Sequence, residues 1–468
     1  MPRQVPQRPS SSQVPSTLRG GRWVVDGGYA RLIAGLVWVL IIFMIIPADF
    51  NYSSFNAEGS TSGPVILITL IAIGTLAIMW RRSLVVALLG RINPFFLAFL
   101  GLATLSTAWS ADPVITLKRL FRLYAIVAIG LAFVLVGWRS GRFQLTMRSV
   151  LTLMLGASLI FGLVAPKLAI EQSTQVELVG AWHGLAMQKN PFGVIAALGV
   201  VFWLHAWLAK ETTAVRAALG GGIAALCLIL SRSSTSLLAT SFAVFLLLLL
   251  FRSPTNWRRL MPYMVGLFCT LVLLYSVAVL NLIPGLDVVL KPISLITGKD
   301  TTFSGRTDVW KIMNEQIVQH PLLGDGYGAF WRGAIPGTPS YQFVERIYVY
   351  PSEAHNGYLD VVNDLGSVGG LCLLGYLFVF VRQSMRLLRI NRSQGALYLS
   401  LVFLCLIGNL SESLWFSVAT VNFAIMSLAT LALARVLLQH DMEMAFPRGE
   451  ATLVRQVPAM RERLRPTR

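Results

Sequence analysis

The run STSLLATSFAVFLLLLLF, residues 234–251, decides how this chain must fold. It carries no charge, and its length approaches the ~20 apolar residues that a helix needs to cross a bilayer. Inside lipid every backbone N–H and C=O must be bonded within the segment, so the run has to be helical. Working outward from it, similar runs recur on both sides. Spans are expected near 31–47, 64–80, 93–109, 120–138, 146–165, 189–209 and 215–231 before it. Further spans are expected near 261–283, 357–381, 396–416 and 420–438 after it. The chain as a whole agrees: 55% of its 468 residues are hydrophobic and 13% are charged. A soluble domain carries about a quarter charged residues, so lipid must cover most of this surface. The fold class expected is an all-α polytopic membrane protein of about twelve transmembrane helices.

A formal charge of +18 suggests a nucleic-acid partner at first sight. A nucleic-acid binder needs its basic stripe on one soluble face, whereas here the cations punctuate apolar runs. Arg81–Arg82, Arg139 with Arg142, Arg258–Arg259 and the series Arg382, Arg386, Arg389, Arg392 all sit in short connections. That is the positive-inside pattern, and it places most cations and both termini in the cytoplasm; no nucleic acid is expected. Residues 1–30, rich in Pro, Ser, Gln and Arg, read as a disordered cytoplasmic leader rather than a cleaved signal. Residues 31–438 form the membrane body, and 439–468 a basic cytoplasmic tail suited to anionic lipid. Cys227, Cys269, Cys372 and Cys405 all fall inside apolar runs, with no metal-ligand spacing, and read as packing residues.

One connection is long. Residues 284–356, between the ninth and tenth spans, form a periplasmic loop on this topology, and long ordered loops usually carry function. A helix is expected over about 307–319, with Trp310, Met313 and Ile317 on one stripe and Pro321 beyond its end. The plain alternative is a helix lying on the membrane surface. Gly324, Gly326 and Gly328 follow without a preceding strand, which rules out a dinucleotide loop.

Three positions on this outer face suggest chemistry. Arg232, in Ser231-Arg232-Ser233-Ser234-Thr235, is either a snorkelling helix-end arginine or an anion ligand among hydroxyls. Arg306 enters a helix start, where backbone N–H groups and a guanidinium can share one anion; its structural alternative is a salt bridge to Asp308 or Glu353. His355, in Glu353-Ala354-His355-Asn356-Gly357-Tyr358, titrates near neutral pH when unperturbed and could take a proton from a sugar hydroxyl. Its structural alternative is a satisfied boundary histidine. Gln188-Lys189-Asn190-Pro191 looks first like a helix start with Asn190 as cap, although Lys189 could hold a phosphate. His183 faces the same side. Gly366, Gly369 and Gly370 read as close helix packing.

These motifs in order resemble the O-antigen ligase and Wzy-type polysaccharide polymerase superfamily. The carriers are His355-Asn356 followed by Gly366-x-x-Gly369, the large preceding loop, and an arginine at the outer end of a span. Gly305-Arg306-Thr307-Asp308-Val309-Trp310, Pro321-Leu322-Leu323-Gly324, Gly326-Tyr327-Gly328-Ala329-Phe330-Trp331 and His355 to Asp360 look most like its exopolysaccharide-polymerase, ExoQ-like branch. His183 with Lys189-Asn190, and Ser231-Arg232-Ser233, do so too. The resemblance implies a GT-C-like, metal-independent inverting glycosyltransferase of the inner membrane, with no cofactor, acting on the periplasmic side. Its donor and acceptor would be undecaprenyl-diphosphate-linked glycans, and a flippase and a chain-length regulator would be its pathway partners. Arg232 and Arg306 would hold the diphosphate, and His355 would activate or orient the acceptor. Lys189, Asn190, Glu353, Asn356 and His183 would bind or orient substrate. No metal is expected, because the outer loops lack a clustered Asp pair. Rival readings are an O-antigen ligase with lipid A–core as acceptor, a flippase without chemistry, and a structural subunit of an export complex.

Overall fold

A computed structural model describes residues 27–47, 62–172, 179–252 and 306–445, with the isolated positions Gly266 and Thr270. Among the described residues the chain is helical throughout, and the β-structure is a single isolated antiparallel bridge, Ile170 to Trp182. The first half contributes α1 (Gly27–Ile45), α2 (Ser62–Trp80), α3 (Arg82–Leu89), α4 (Pro94–Leu105), α5 (Pro113–Leu135), α6 (Arg142–Val164) and α7 (Lys189–Leu208). Then come α8 (Ala214–Leu230), α9 (Ser234–Arg252), α10 (Arg306–Gln319), α11 (Gln342–Ile347), α12 (Gly357–Ile390), α13 (Arg392–Gly408) and α14 (Val421–Ala445).

Seven of these (α1, α2, α6, α7, α9, α12 and α14) are long and apolar enough to cross a bilayer, which makes this a multi-pass membrane protein. The span expected near 93–109 is instead the second limb of a bent pair. α3 and the segment Pro94–Ala108 meet at 104°, and together they would make an eighth crossing. The bend has a local cause: Asn93 caps α4, its Oδ1 accepting from Phe95 N at 3.0 Å, and Pro94 opens the helix. Three other expected spans are helices of intermediate character. α5 has 23 residues but bears Lys118, Arg119 and Arg122 near its start, while α8 and α13 have 17 residues each. The span expected near 261–283, the loop to residue 305, the leader and most of the tail lie outside the described residues.

α14 is the axis of the bundle. Of its most apolar window 94% is buried inside the protein, against 28% for α1 and for α2, which turn most of their surface outward. Its Arg435, 1% exposed, donates from Nε to the Val134 carbonyl at 3.2 Å, so a cation in the core answers a backbone acceptor. α13 packs between α9 and α12, α7 against α6, α8 and α9, and α12 against α4.

α12 is broken, and the break positions the site. It spans 34 residues, ~51 Å at 1.5 Å per residue, too long for a hydrocarbon layer of ~30 Å. At Gly366 the backbone leaves the helix (φ 65°, ψ −166°). The freed groups pair with the loop after α10. Asp325 N donates to Asn363 O at 2.9 Å and Gly326 N to Asp364 O at 3.0 Å, while Ser367 N donates to Pro321 O at 2.9 Å. Gly366 is therefore a hinge filled by a docked loop, not the helix–helix contact its spacing suggested. Backbone groups at membrane depth must find such partners.

The loop carries a core of its own. α10 starts one residue earlier than expected and buries Val309, Trp310, Ile312 and Met313 against Phe330, Phe343, Ala354 and Leu359. Its apolar stripe faces this small core. Trp310 Nε1 donates to Ala354 O at 2.9 Å, which ties α10 to the segment leading into His355.

Candidate functional site

The site is built where α7, α10 and α12 all begin. Asn356 caps α12: its Oδ1 accepts from Tyr358 N at 3.1 Å and Leu359 N at 3.2 Å, and the side chain is buried. That fixes the residue before it, His355, in the left-handed region at φ 50°. Ser352 (φ 60°) and Tyr348 (φ 57°) share this conformation. Left-handed backbone costs a non-glycine residue about 1–2 kcal/mol, and such outliers gather where the surrounding fold enforces a functional geometry.

Glu412 is the hub. It is 5% exposed and follows α13, in a turn organised by Asn409. Asn409 Oδ1 accepts from Leu414 N at 2.9 Å and Trp415 N at 2.8 Å, and Gly357 N bonds the carbonyls of both Asn409 and Glu412 at 3.1 Å. Glu412 Oε1 accepts from Asn190 Nδ2 at 2.7 Å and pairs with Arg306 Nη2 at 3.2 Å. Its other oxygen, Oε2, lies 3.8 Å from His355 Nδ1, and Glu353 Oε1 lies 3.0 Å from the same nitrogen, a close ion pair with poor hydrogen-bond alignment.

The fold thus joins Asn190, Arg306, Glu353 and His355. Asn190 is not a cap: α7 opens at Lys189 with Gln188 ahead of it, and the Asn190 amide in the first turn reaches across to Glu412. Lys189 is half-buried beside it. Arg232 stands apart. At φ 49° between α8 and α9 it is exposed, and its Nη1 donates to Val179 O at 2.7 Å. It makes no hydrogen bond or ion pair to Glu353, His355 or Glu412 among the described residues. Its neighbours Ser231 and Ser233 do pack on Gly193 of α7, one turn from Asn190. Those hydroxyls are engaged within the protein, Ser231 Oγ on Leu228 O at 2.6 Å and Ser233 Oγ on Ser236 Oγ at 3.0 Å. His183 is buried with Nδ1 2.7 Å from Ala186 O, fastening the loop before α7.

Glu412 was hidden in the sequence because the span expected over 396–416 enclosed it; the helix ends at Gly408. The available signal was a lone carboxylate in an apolar run, which is costly unless it serves a purpose. Two acids distant in sequence also meet at one histidine in space. Glu353, His355 and Glu412 bring one ligand atom each within 4.8 Å, a spacing that a divalent cation could also use.

The proton on His355 also differs from the expectation. Burial by itself disfavours the imidazolium, but the contacts with Glu353 and Glu412 outweigh it and hold the pKa up to about 10. Burial pushes the Glu353 carboxyl up. Near neutral pH His355 therefore carries its proton and acts as a fixed cation and donor, not as a free base. A histidine base of ordinary pKa gives a rate that climbs through about pH 6.5. Here loss of the imidazolium should instead make the rate fall as pH approaches about 10, which a pH–rate profile of the purified protein reads directly. Stability follows the same sign. The folded pKa is raised, so the contribution of His355 is complete below about 6.5 and is lost as pH rises through about 10.

A multi-pass membrane protein with a half-buried acid–base–guanidinium cluster around a buried glutamate, at the loop end of its bundle, is the class defined so far. Residues 219–374 match the family model described as O-antigen ligase, Wzy_C. The chain is also 33% identical over 227 residues to the exopolysaccharide production protein ExoQ of Rhizobium meliloti (strain 1021), a match covering 46% of this chain and 50% of that protein. The chain thus spans about half the length of the curated relative it matches. Both likenesses support membership of the O-antigen ligase and ExoQ-like family.

Proposed function

We propose that the chain polymerises undecaprenyl-diphosphate-linked repeat units into an exopolysaccharide at the periplasmic face of the inner membrane, by inverting glycosyl transfer without a metal. Both termini lie in the cytoplasm, and a flippase and a chain-length regulator act beside it. The observation that carries the reading is the meeting of Asn190, Arg306 and His355 on Glu412, from segments far apart in the chain. Arg306, with Arg232 across the first turn of α7, holds the donor diphosphate. The bond from the anomeric carbon to the phosphate oxygen breaks, and the diphosphate leaves with the electron pair, its charge met by guanidinium. The acceptor hydroxyl attacks the opposite face of that carbon. Its proton passes to Glu353, whose carboxyl burial has made more basic, because the imidazolium of His355 is already protonated and serves to orient the hydroxyl.

The test is the purified protein supplied with one synthetic lipid-linked repeat unit. Wild type should yield a polymer ladder in EDTA, and Arg306→Ala and His355→Ala should each lower the rate about 10²–10³-fold. Product on lipid A–core without chain lengthening would make the protein a ligase. Failure to translocate the lipid-linked unit, with no transfer defect, would make it a flippase. Activity that vanishes in EDTA and returns with a divalent ion would assign the Glu353, His355 and Glu412 cluster to a metal.

A further inference from the structure

Beside the Glu353–His355 pair the fold makes a cleft of whose walls the transfer chemistry uses only Glu353. Arg119, Trp331, Glu353, Asp360, Asp364 and Trp415 are among its walls, so one of its carboxylates is the one that touches His355. Asp360 is committed to structure: its Oδ1 accepts from Trp331 Nε1 at 2.9 Å, and its Oδ2 from Ala354 N at 3.1 Å and from Ser413 Oγ. This holds the indole of Trp331 in place, with Phe343 stacked on it at 5.2 Å. Asp364 is committed by half. Its Oδ2 accepts from Gly328 N at 2.8 Å, while its buried Oδ1 has no partner. Trp415 is 3% exposed and its buried Nε1 has no partner either. The Arg119 guanidinium packs on Gly328 and makes no hydrogen bond or ion pair among the described residues.

An acceptor, an indole donor and a guanidinium therefore line one cleft uncommitted, between indole walls. Leaving a buried polar group unmatched costs about 1–3 kcal/mol, so such sets serve a ligand that matches them. With a single guanidinium in its lining, the cleft lacks the cationic clamp that a diphosphate needs, and its polar groups offer nothing to a polyprenyl chain. A sugar suits them: its hydroxyls both donate and accept, and its C–H faces lie on aromatic rings. We propose that this cleft binds one neutral, polyhydroxylated sugar residue of the acceptor glycan, with Asp364 and Arg119 as its polar clamps, presenting a hydroxyl towards Glu353. This subsite rests on the transferase reading and assigns its acceptor.

The experiment uses the full-length protein in nanodiscs. The probes are undecaprenyl diphosphate and the lipid-free oligosaccharide released by mild acid from lipid-linked repeat units, collected from a strain lacking this chain. Calorimetric titration should show the oligosaccharide binding wild type and binding Asp364→Asn and Arg119→Ala about tenfold more weakly. Affinity for undecaprenyl diphosphate should stay within about twofold of wild type. Melting temperature guards against a misfolded variant, and Arg119→Ala, at a half-buried position, is the safer of the two substitutions. Polymer formation by wild type together with oligosaccharide affinity indifferent to both substitutions would overturn the subsite while leaving the transferase intact. Equal loss of both ligands would also overturn it. Specific oligosaccharide binding at these residues by a wild type that forms no polymer would instead sink the transferase reading and keep the sugar site.

Discussion

Glu412→Ala is expected to stop polymer formation, lowering the rate per folded molecule at least about 10²-fold. The cause is loss of a shared partner. Arg306 at 3.2 Å, Asn190 at 2.7 Å and His355 at 3.8 Å all take their position from this one carboxylate. Removing one member of a buried ion pair leaves the other charge uncompensated, at a cost of about 3–5 kcal/mol, so a fall in melting temperature should accompany the loss of activity. Glu412→Gln separates the two effects. The amide keeps the volume and can still bond Asn190, so the protein should fold, yet Arg306 and His355 lose the negative charge that gathers them. The pKa of His355 should then drop from about 10, and the alkaline fall in rate should move to lower pH. A Glu412→Gln protein that polymerises at the wild-type rate would remove the hub from the mechanism.

Gly366→Val should prevent the protein from accumulating in the membrane. The residue sits at φ 65°, where a β-branched side chain is a steric outlier. A Cβ there would also fall on the Leu322 carbonyl, in the loop that satisfies the broken helix. Backbone strain of about 1–3 kcal/mol in a region open essentially only to glycine and overpacking of about 1–3 kcal/mol add on one spot. The bonds from Ser367 N to Pro321 O at 2.9 Å and Val368 N to Leu322 O at 3.3 Å are lost with them. Gly370→Ala is the control. That residue is helical, a Cβ would meet Val362 Cγ2 at 3.2 Å, and the change should cost little because alanine favours the helix. Membrane-fraction yield and thermal unfolding of the two variants check the contrast. Equal yields would mean that the loop can leave the break without consequence.

Sequence reading reached the multi-pass helical architecture and the helix that begins at Arg306, and it singled out Glu353, Arg306 and His355, which the fold brings near one another. It could do so because burial in lipid writes itself as uninterrupted apolar runs, and because a cap such as Asn356 acts on its immediate neighbours. What lay beyond it depended on distance through space. Asn190 and Glu412 are 222 positions apart and meet only when α7, α12 and α13 are packed. Glu412 itself looked like the interior of a span until the Asn409 turn ended the helix before it. The glycine at 366 could not announce a break, since a packing glycine and a left-handed one are the same letter. The charge on His355 is set by two carboxylates and by exclusion of water, none of which is a property of its own segment. The cleft of Arg119, Asp364 and Trp415 draws on α5, α12 and the turn after α13. Local periodicity determined the elements, while the tertiary structure decided which polar groups share one dry volume, because electrostatic coupling falls with separation in space and not along the chain.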